Sequence, residues 1–145
     1  MRPSEALNLH RDEIHRIWPG LLTSLRLDLE SVEAGVPVET ITSFVLASGV
    51  ELKDIHAVVI SARALRYRRS RKQSLSLDES DRLARFVRIF DQAVSVFGDS
   101  EKAHRWLSKP KKRFHERTPL QMLRTDFGGR AVEEMLGQLD HGMFA

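Results

Sequence analysis

Cysteine is absent from the 145 residues, which removes a disulfide framework, a thiolate nucleophile and any cysteine-ligated zinc site. No apolar run approaches the roughly 18 residues a membrane span needs. The opening residues 1–10 lack the basic-then-apolar pattern of a signal peptide, so the expected location is the cytoplasm. No glycine-rich phosphate loop is present, and Gly128 and Gly129 fall between two predicted helices with no strand before them. The six histidines, His10, His15, His56, His104, His115 and His141, form no i, i+4 pair with an acid between, so no helix metal site is expected. Asp140 and His141 are neighbours, but adjacent helix residues point apart and no nucleophile accompanies them. An enzyme is therefore not expected, and no cofactor, metal or catalytic residue is assigned.

What is present suits a folded chain: 41% apolar and 30% charged residues with mean hydropathy −0.32. The length fits about one domain, or two small helical units sharing a core. At this size roughly 70% of the unfolded surface can leave water on folding. The net charge of +3 comes from one place. Arg63, Arg66, Arg68, Arg69, Arg71 and Lys72 lie within 61–72, a stretch without an acid, and the rest of the chain has more acidic than basic side chains. Such a local positive potential attracts phosphate or an acidic protein surface; its bland alternative is a solvated charged face. A second cluster, Lys109, Lys111, Lys112, Arg113 and Arg117, is partly offset by Glu116.

Helical periodicity runs from end to end, which predicts an all-α fold. Leu7, Ile14, Ile17 and Trp18 share a helix face over 4–18, closed by Pro19 and Gly20. Residues 21–34 fit either a strand, through Leu25, Leu27 and Leu29, or a helix, through Leu21, Leu22, Leu25, Leu29 and Val32. A lone strand has nothing to pair with, so a helix is predicted. Gly35 breaks the chain, Pro37 suits a first helical turn, and Ile41, Phe44, Val45 and Ser48 mark a face ending at Gly49. Leu52, Ile55, Val58 and Val59 give the stripe of a second short helix, and Ser61 can cap a third. From Ser76, in capping-box spacing with Glu79, a long face follows: Leu83, Phe86, Val87, Phe90, Ala93, Val94 and Phe97, ending at Gly98. Asp99 can cap a helix carrying Ala103, Trp106 and Leu107. Thr118 and Pro119 open another with Leu120 and Leu123. The last predicted helix carries Ala131, Val132, Met135, Leu136 and Leu139, with Gly142 beyond it.

Two short helices joined by a tight turn, the second loaded with arginine, outline a helix-turn-helix. On the basic helix Leu65 points one way, while Arg63, Arg66, Tyr67 and Ser70 form the opposite stripe. Arginine there can make bidentate contacts to guanine edges, and Tyr67 and Ser70 can hydrogen-bond bases or phosphates. Ser61, Arg68, Arg69, Arg71 and Lys72 flank the stripe and suit backbone contacts. A basic helix that binds only an acidic protein is the competing reading.

The ordered landmarks Phe97-Gly98-Asp99, Ala103, Trp106-Leu107, Pro110, Thr118-Pro119-Leu120, Leu123, Gly128-Gly129, Val132, Leu136 and Gly142 resemble the toxin-binding C-terminal domain of Xre-type antitoxins of RES-Xre pairs and related partition-like antitoxins. Upstream, Gly35-Val36-Pro37-Val38 and the three short helices resemble the degenerate Xre helix-turn-helix of the same family. Together they cover about 34–145. Three positions depart from the family pattern. Val59 stands where the turn tends to have glycine, Glu51 where a small capping residue is usual, and His115-Glu116-Arg117 where a glycine-rich bend is common.

The resemblance implies an antitoxin with an N-terminal helical segment over 1–34, a DNA-binding helix-turn-helix over 35–75 and a toxin-binding domain over 76–145. Its partners would be promoter DNA and a toxin encoded beside it, of the RES type that degrades NAD, in an assembly containing an antitoxin homodimer. The resemblance further implies steric inhibition by the chain end: Asp140, His141, Gly142, Met143, Phe144 and Ala145 would block the toxin's active site, with Trp106 on the same binding half. An acidic group and a free carboxylate suit a cationic dinucleotide site, and Met143 and Phe144 suit an apolar slot. Self-packing of Met143 and Phe144 is the alternative from residues alone. Phe86, Phe90 and Phe97 are candidates for a surface shared between the core and a self-interface. The second functional reading is a helix-turn-helix transcriptional regulator with no toxin.

Overall fold

The computed structural model describes residues 20–142. The helix predicted over 4–18 lies outside the described residues, as do Met143, Phe144 and Ala145. The structure is all-α, and the single β feature among the described residues is an isolated bridge between Lys111 and Arg117.

The segment predicted as one helix over 21–34 is two, α1 (Leu21–Ser24) and α2 (Leu29–Ala34). Arg26 takes a left-handed conformation at φ 56°, and the Asp28 carboxylate accepts the Ser31 N–H at 2.8 Å, starting a new helix where the old one would have continued. The leucine alternation falls on this break: Leu27 is buried, whereas Leu29 is 74% exposed. The α1 N-terminus is held by a distant side chain, because Leu21 and Leu22 donate their N–H groups to Asp91 at 2.8 and 3.0 Å.

Next come α3 (Glu39–Ser48), α4 (Leu52–Val58) and α5 (Ala62–Ser70). Pro37 precedes α3 by two residues, and Gly49 ends it in the left-handed conformation at φ 78°. Of the stripe expected on α4, Ile55, Val58 and Val59 are buried, but Leu52 is 47% exposed. It occupies the first helical position, immediately after the exposed Glu51. The long helix α6 (Leu77–Phe97) follows, then α7 (Ser100–Leu107), a 3₁₀ turn (Lys112–Phe114), α8 (Pro119–Met122) and α9 (Asp126–Asp140). The caps are those the residues suggested: Ser61, Ser76, Asp99 and Thr118 each accept an N–H three residues on.

Helix α6 is the axis of the molecule, packed against α1, α2, α4, α7 and α9. Its predicted face is buried apart from the half-buried Phe97, and Ser80, Arg85 and Ile89 are buried as well. A helix with neighbours on several sides needs more than one apolar stripe. Phe44 from α3 meets Phe86 and Phe90 edge-on, with ring centroids 5.2 and 5.8 Å apart. Phe86 and Phe90 are fully buried in this core, so they are not surface for a self-interface. The buried Ser80 hydroxyl accepts the Val36 N–H at 2.9 Å, tying the loop before α3 to α6.

Gly128 and Gly129 lie inside the first turn of α9, not between helices. At Gly128 a Cβ would stand 2.0 Å from the Met122 carbonyl oxygen, and at Gly129 a Cβ would stand 2.8 Å from the Arg85 side chain. The glycine pair thus lets α9 start against the end of α8 while Arg85 passes beneath it to the Leu123 carbonyl, 3.3 Å away.

Candidate nucleic-acid interface and the C-terminal surface

The two helices of the predicted helix-turn-helix are α4 and α5. The turn between them contains no glycine and needs none: Val59 has φ −104° and ψ −59°, a right-handed conformation open to a β-branched residue. Side chains close it instead. His56 Nδ1 donates to the Ile60 carbonyl at 2.9 Å, and Arg82 Nε of α6 donates to the Val59 carbonyl at 3.0 Å. Val59 and Ile60 are buried, so both carbonyls would otherwise face a costly loss of solvation. At Glu51 the helix start is served by the reverse bond, the Glu51 N–H donating to Asp54 at 3.1 Å.

On α5 the division of faces follows the sequence reading. Leu65 is buried, and Arg63, Arg66, Tyr67 and Ser70 are exposed, with Arg69 and Arg71 beside them. Arg71 lies over the Tyr67 ring at 5.2 Å, while Tyr67 stays 50% exposed. Helix α5 ends at Ser70, and Lys72 takes a left-handed conformation at φ 53°. No acidic residue occupies the first turn of α5.

Arg68 differs from the flanking role expected of it. It is half-buried, with Nε 3.1 Å from Glu79 and one terminal nitrogen 3.0 Å from Gln73. Burial pushes the Glu79 carboxyl up, but hydrogen bonds from the Ser76 N–H and from Arg68 outweigh it and hold the group below its ordinary value. Arg68 is therefore a strut that fixes α5 to the start of α6. Because the folded carboxyl is depressed, its stabilisation is complete above the ordinary glutamate range and is lost as pH falls through the folded value. Glu79→Gln is expected to lower stability by about 1–2 kcal/mol at neutral pH. It should also flatten the acid limb of the stability profile, which thermal melts between pH 3 and 7 would register.

The C-terminal half forms a second surface. Trp106 is half-buried and packs against Phe97 with ring centroids 5.4 Å apart and ring planes tilted by 36°, with the Lys111 ammonium 4.8 Å from the indole centre. Burial lowers the Lys111 pKa, and the neighbouring charge of Lys109 adds to the effect. The basic loop is folded back on itself: the Lys111 N–H donates to Arg117 at 3.0 Å and the Glu116 N–H to Lys111 at 3.0 Å, over the buried Phe114. His115 and Glu116 both take positive φ, 54° and 65°, so the bend has glycine-like geometry without glycine. At the far end Asp140 closes α9, half-buried, and His141 and Gly142 are exposed. Gly142, just beyond the helix, takes a left-handed conformation at φ 72°.

Comparison with known proteins matches both halves. Residues 29–88 fit the antitoxin Xre-like helix-turn-helix domain, and residues 92–142 fit the antitoxin Xre/MbcA/ParS C-terminal toxin-binding domain. An antitoxin Xre of Yersinia enterocolitica is 37% identical over 119 residues, covering 81% of this chain and 80% of the relative. The chain belongs to the Xre antitoxin family. An antitoxin Xre of Pseudomonas putida is 52% identical over 84 residues, 58% of this chain and 53% of that protein. One from Photorhabdus laumondii is 40% identical over 85 residues, 58% of this chain and 57% of that protein. The chain thus spans little more than half the length of these last two relatives. All three are named as antitoxins and none as an enzyme. The first family match ends and the second begins within α6, so the same helix carries the core of the helix-turn-helix and of the toxin-binding half.

Two pairings between residues distant in sequence were not legible in it, and the first also joins the two halves. His104 of α7 lies 2.9 Å from the Asp54 carboxylate of α4, and Arg82 of α6 holds the turn. Both pairings span tens of residues, so no local pattern could have joined them.

Proposed function

We propose that this chain is the antitoxin of a type II toxin-antitoxin pair that inhibits a RES-type, NAD-degrading toxin and represses its own operon. The division of labour is that of 35–75 for DNA and 76–145 for toxin, with 1–34 as a preceding helical segment, and the protein acts in the cytoplasm, where its promoter lies. The observation that carries the reading is the exposed stripe Arg63, Arg66, Tyr67 and Ser70 on a capped helix of the same chain that carries the toxin-binding domain.

In the DNA-bound state α5 enters the major groove, Arg63 and Arg66 read base edges, and Arg69, Arg71 and Lys72 meet phosphates. A homodimer matches a two-fold operator. In the toxin-bound state the segment from Asp140 through Ala145 occupies the toxin's active site. Asp140 meets its cations, Met143 and Phe144 fill an apolar slot, and Trp106 lies on the supporting body.

The test is the double variant Arg63→Ala, Arg66→Ala, titrated with its promoter fragment and with unrelated duplex. Each good base contact is worth about 1–3 kcal/mol, so the preference for the promoter is expected to fall by at least tenfold while toxin inhibition stays intact. Undiminished preference would remove α5 as the reader. Promoter binding by the native chain with no inhibition of a neighbouring toxin would favour the simple transcriptional regulator.

A further inference from the structure

A groove of about 420 Å³ runs behind the turn of the helix-turn-helix, lined by His56, Val59, Ser61, Glu79, Arg82 and Arg124 among others. Ser61 and Ala64 also line the neighbouring depression that contains Arg63, Tyr67 and Arg68. The two hollows therefore form one surface that starts at Arg124 and continues along the first two turns of α5. Two arginines line the first groove against one carboxylate, Glu79, whose charge is already met by Arg68 at 3.1 Å. Arg82 is positioned by its bond to the Val59 carbonyl, 3.0 Å from Nε. Arg124 is exposed and, among the described residues, has no hydrogen bond or ion pair. An arginine left unpaired in a concave basic surface, beside a helix start with no acid in its first turn, is arranged for a phosphate.

The geometry points to Arg124, supported by Arg82, as a DNA-backbone contact made from the toxin-binding half of the chain. This rests on the DNA-binding reading of α5 and extends it. Helix-turn-helix proteins approach DNA with the N-terminal part of the recognition helix, and the phosphates flanking that point fall to whatever elements lie beside it. Here the adjacent element is the link between α8 and α9, within the toxin-binding match at 92–142. A phosphate contact there makes promoter affinity depend on both halves of the antitoxin, with no contribution from Arg124 to sequence choice.

The experiment measures binding of the full chain to a promoter duplex and to an unrelated duplex across a salt series, for the native protein, Arg124→Ala and Arg124→Lys. Losing one phosphate contact is expected to weaken binding to both duplexes alike, roughly fivefold to tenfold at 100 mM salt, and to reduce the salt slope by about one. Lysine should restore most of the slope, since a point charge still neutralises a phosphate. Unchanged affinity and slope for Arg124→Ala, in a chain whose promoter preference still depends on Arg63 and Arg66, would overturn this inference and leave the role of α5 standing. A native chain that binds neither duplex would overturn both.

Discussion

Replacing Gly128 by alanine is expected to destabilise the protein by more than about 3 kcal/mol, whereas the same change at Gly137, nine residues along the same helix, should stabilise it by about 0.5–1 kcal/mol. Alanine is the better helix former at both positions, so backbone entropy alone predicts a gain at each. Space decides the difference. At Gly137 an added Cβ meets nothing within 4 Å, and at Gly128 it would lie 2.0 Å from the Met122 carbonyl oxygen. That oxygen belongs to backbone at the end of α8, so relief requires moving α8 from α9 and opening the seam over Leu123. Overpacking commonly costs about 1–3 kcal/mol, and rigid backbone on the other side of the clash places this site at or beyond the upper end. Denaturant melts of the two single variants check both signs. Equal stabilisation would mean that the close approach of α8 and α9 is not what fixes a glycine here.

Removal of 141–145 is expected to abolish toxin inhibition while leaving the fold and promoter binding nearly intact. Leu136 is the last fully buried residue of α9 and Leu139 is half-buried. His141 and Gly142, beyond the helix, are exposed. The truncation therefore deletes little core. Asp140 is retained because it is the final helical residue, half-buried, and takes part in a contact of its own. Inhibition should fall by at least about thirtyfold, since an aromatic interface anchor, the role proposed for Phe144, carries about 2–4 kcal/mol, and the steric block goes with it. The melting temperature should move by no more than a few degrees. If the truncated chain inhibited the toxin as well as the native one, the inhibitory surface would lie on the body of the domain. Trp106, the loop over 111–117 and Phe127, which is 85% exposed at the start of α9, would then be the groups to change.

The features read directly from sequence were those governed by neighbours along the chain. Ser61, Ser76, Asp99 and Thr118 cap helices because a side-chain oxygen reaches an N–H three residues on, wherever the helix is packed. Leu65 and the stripe opposite it follow from helical period alone. Residues 21–34 are helical as their spacing suggests, but as two helices, because the left-handed Arg26 and the capping bond at Asp28 divide the segment. Leu52 fits the stripe by spacing, yet it sits at the first helical position and stays 47% exposed. The functional surface was less legible. Arg68 looks like any other arginine of the basic helix until Glu79 is brought to 3.1 Å by the fold. Arg82 and Arg124 carry no motif, and only the packing of α6 and the α8–α9 link against the turn makes them part of the same surface as Arg63. The glycine pair was visible as a family landmark, but its reason is a clash with backbone and with Arg85, which no one-dimensional pattern contains.

The most direct test of a two-surface antitoxin uses the RES-type partner proposed above, taken as the product of the reading frame beside this chain, purified and assayed by NAD loss, and titrated with the native protein and with Arg63→Ala, Arg66→Ala. Both proteins are expected to stop NAD loss at the same molar ratio, although only the native one selects its promoter. Continued NAD loss at saturating native protein would contradict the central claim.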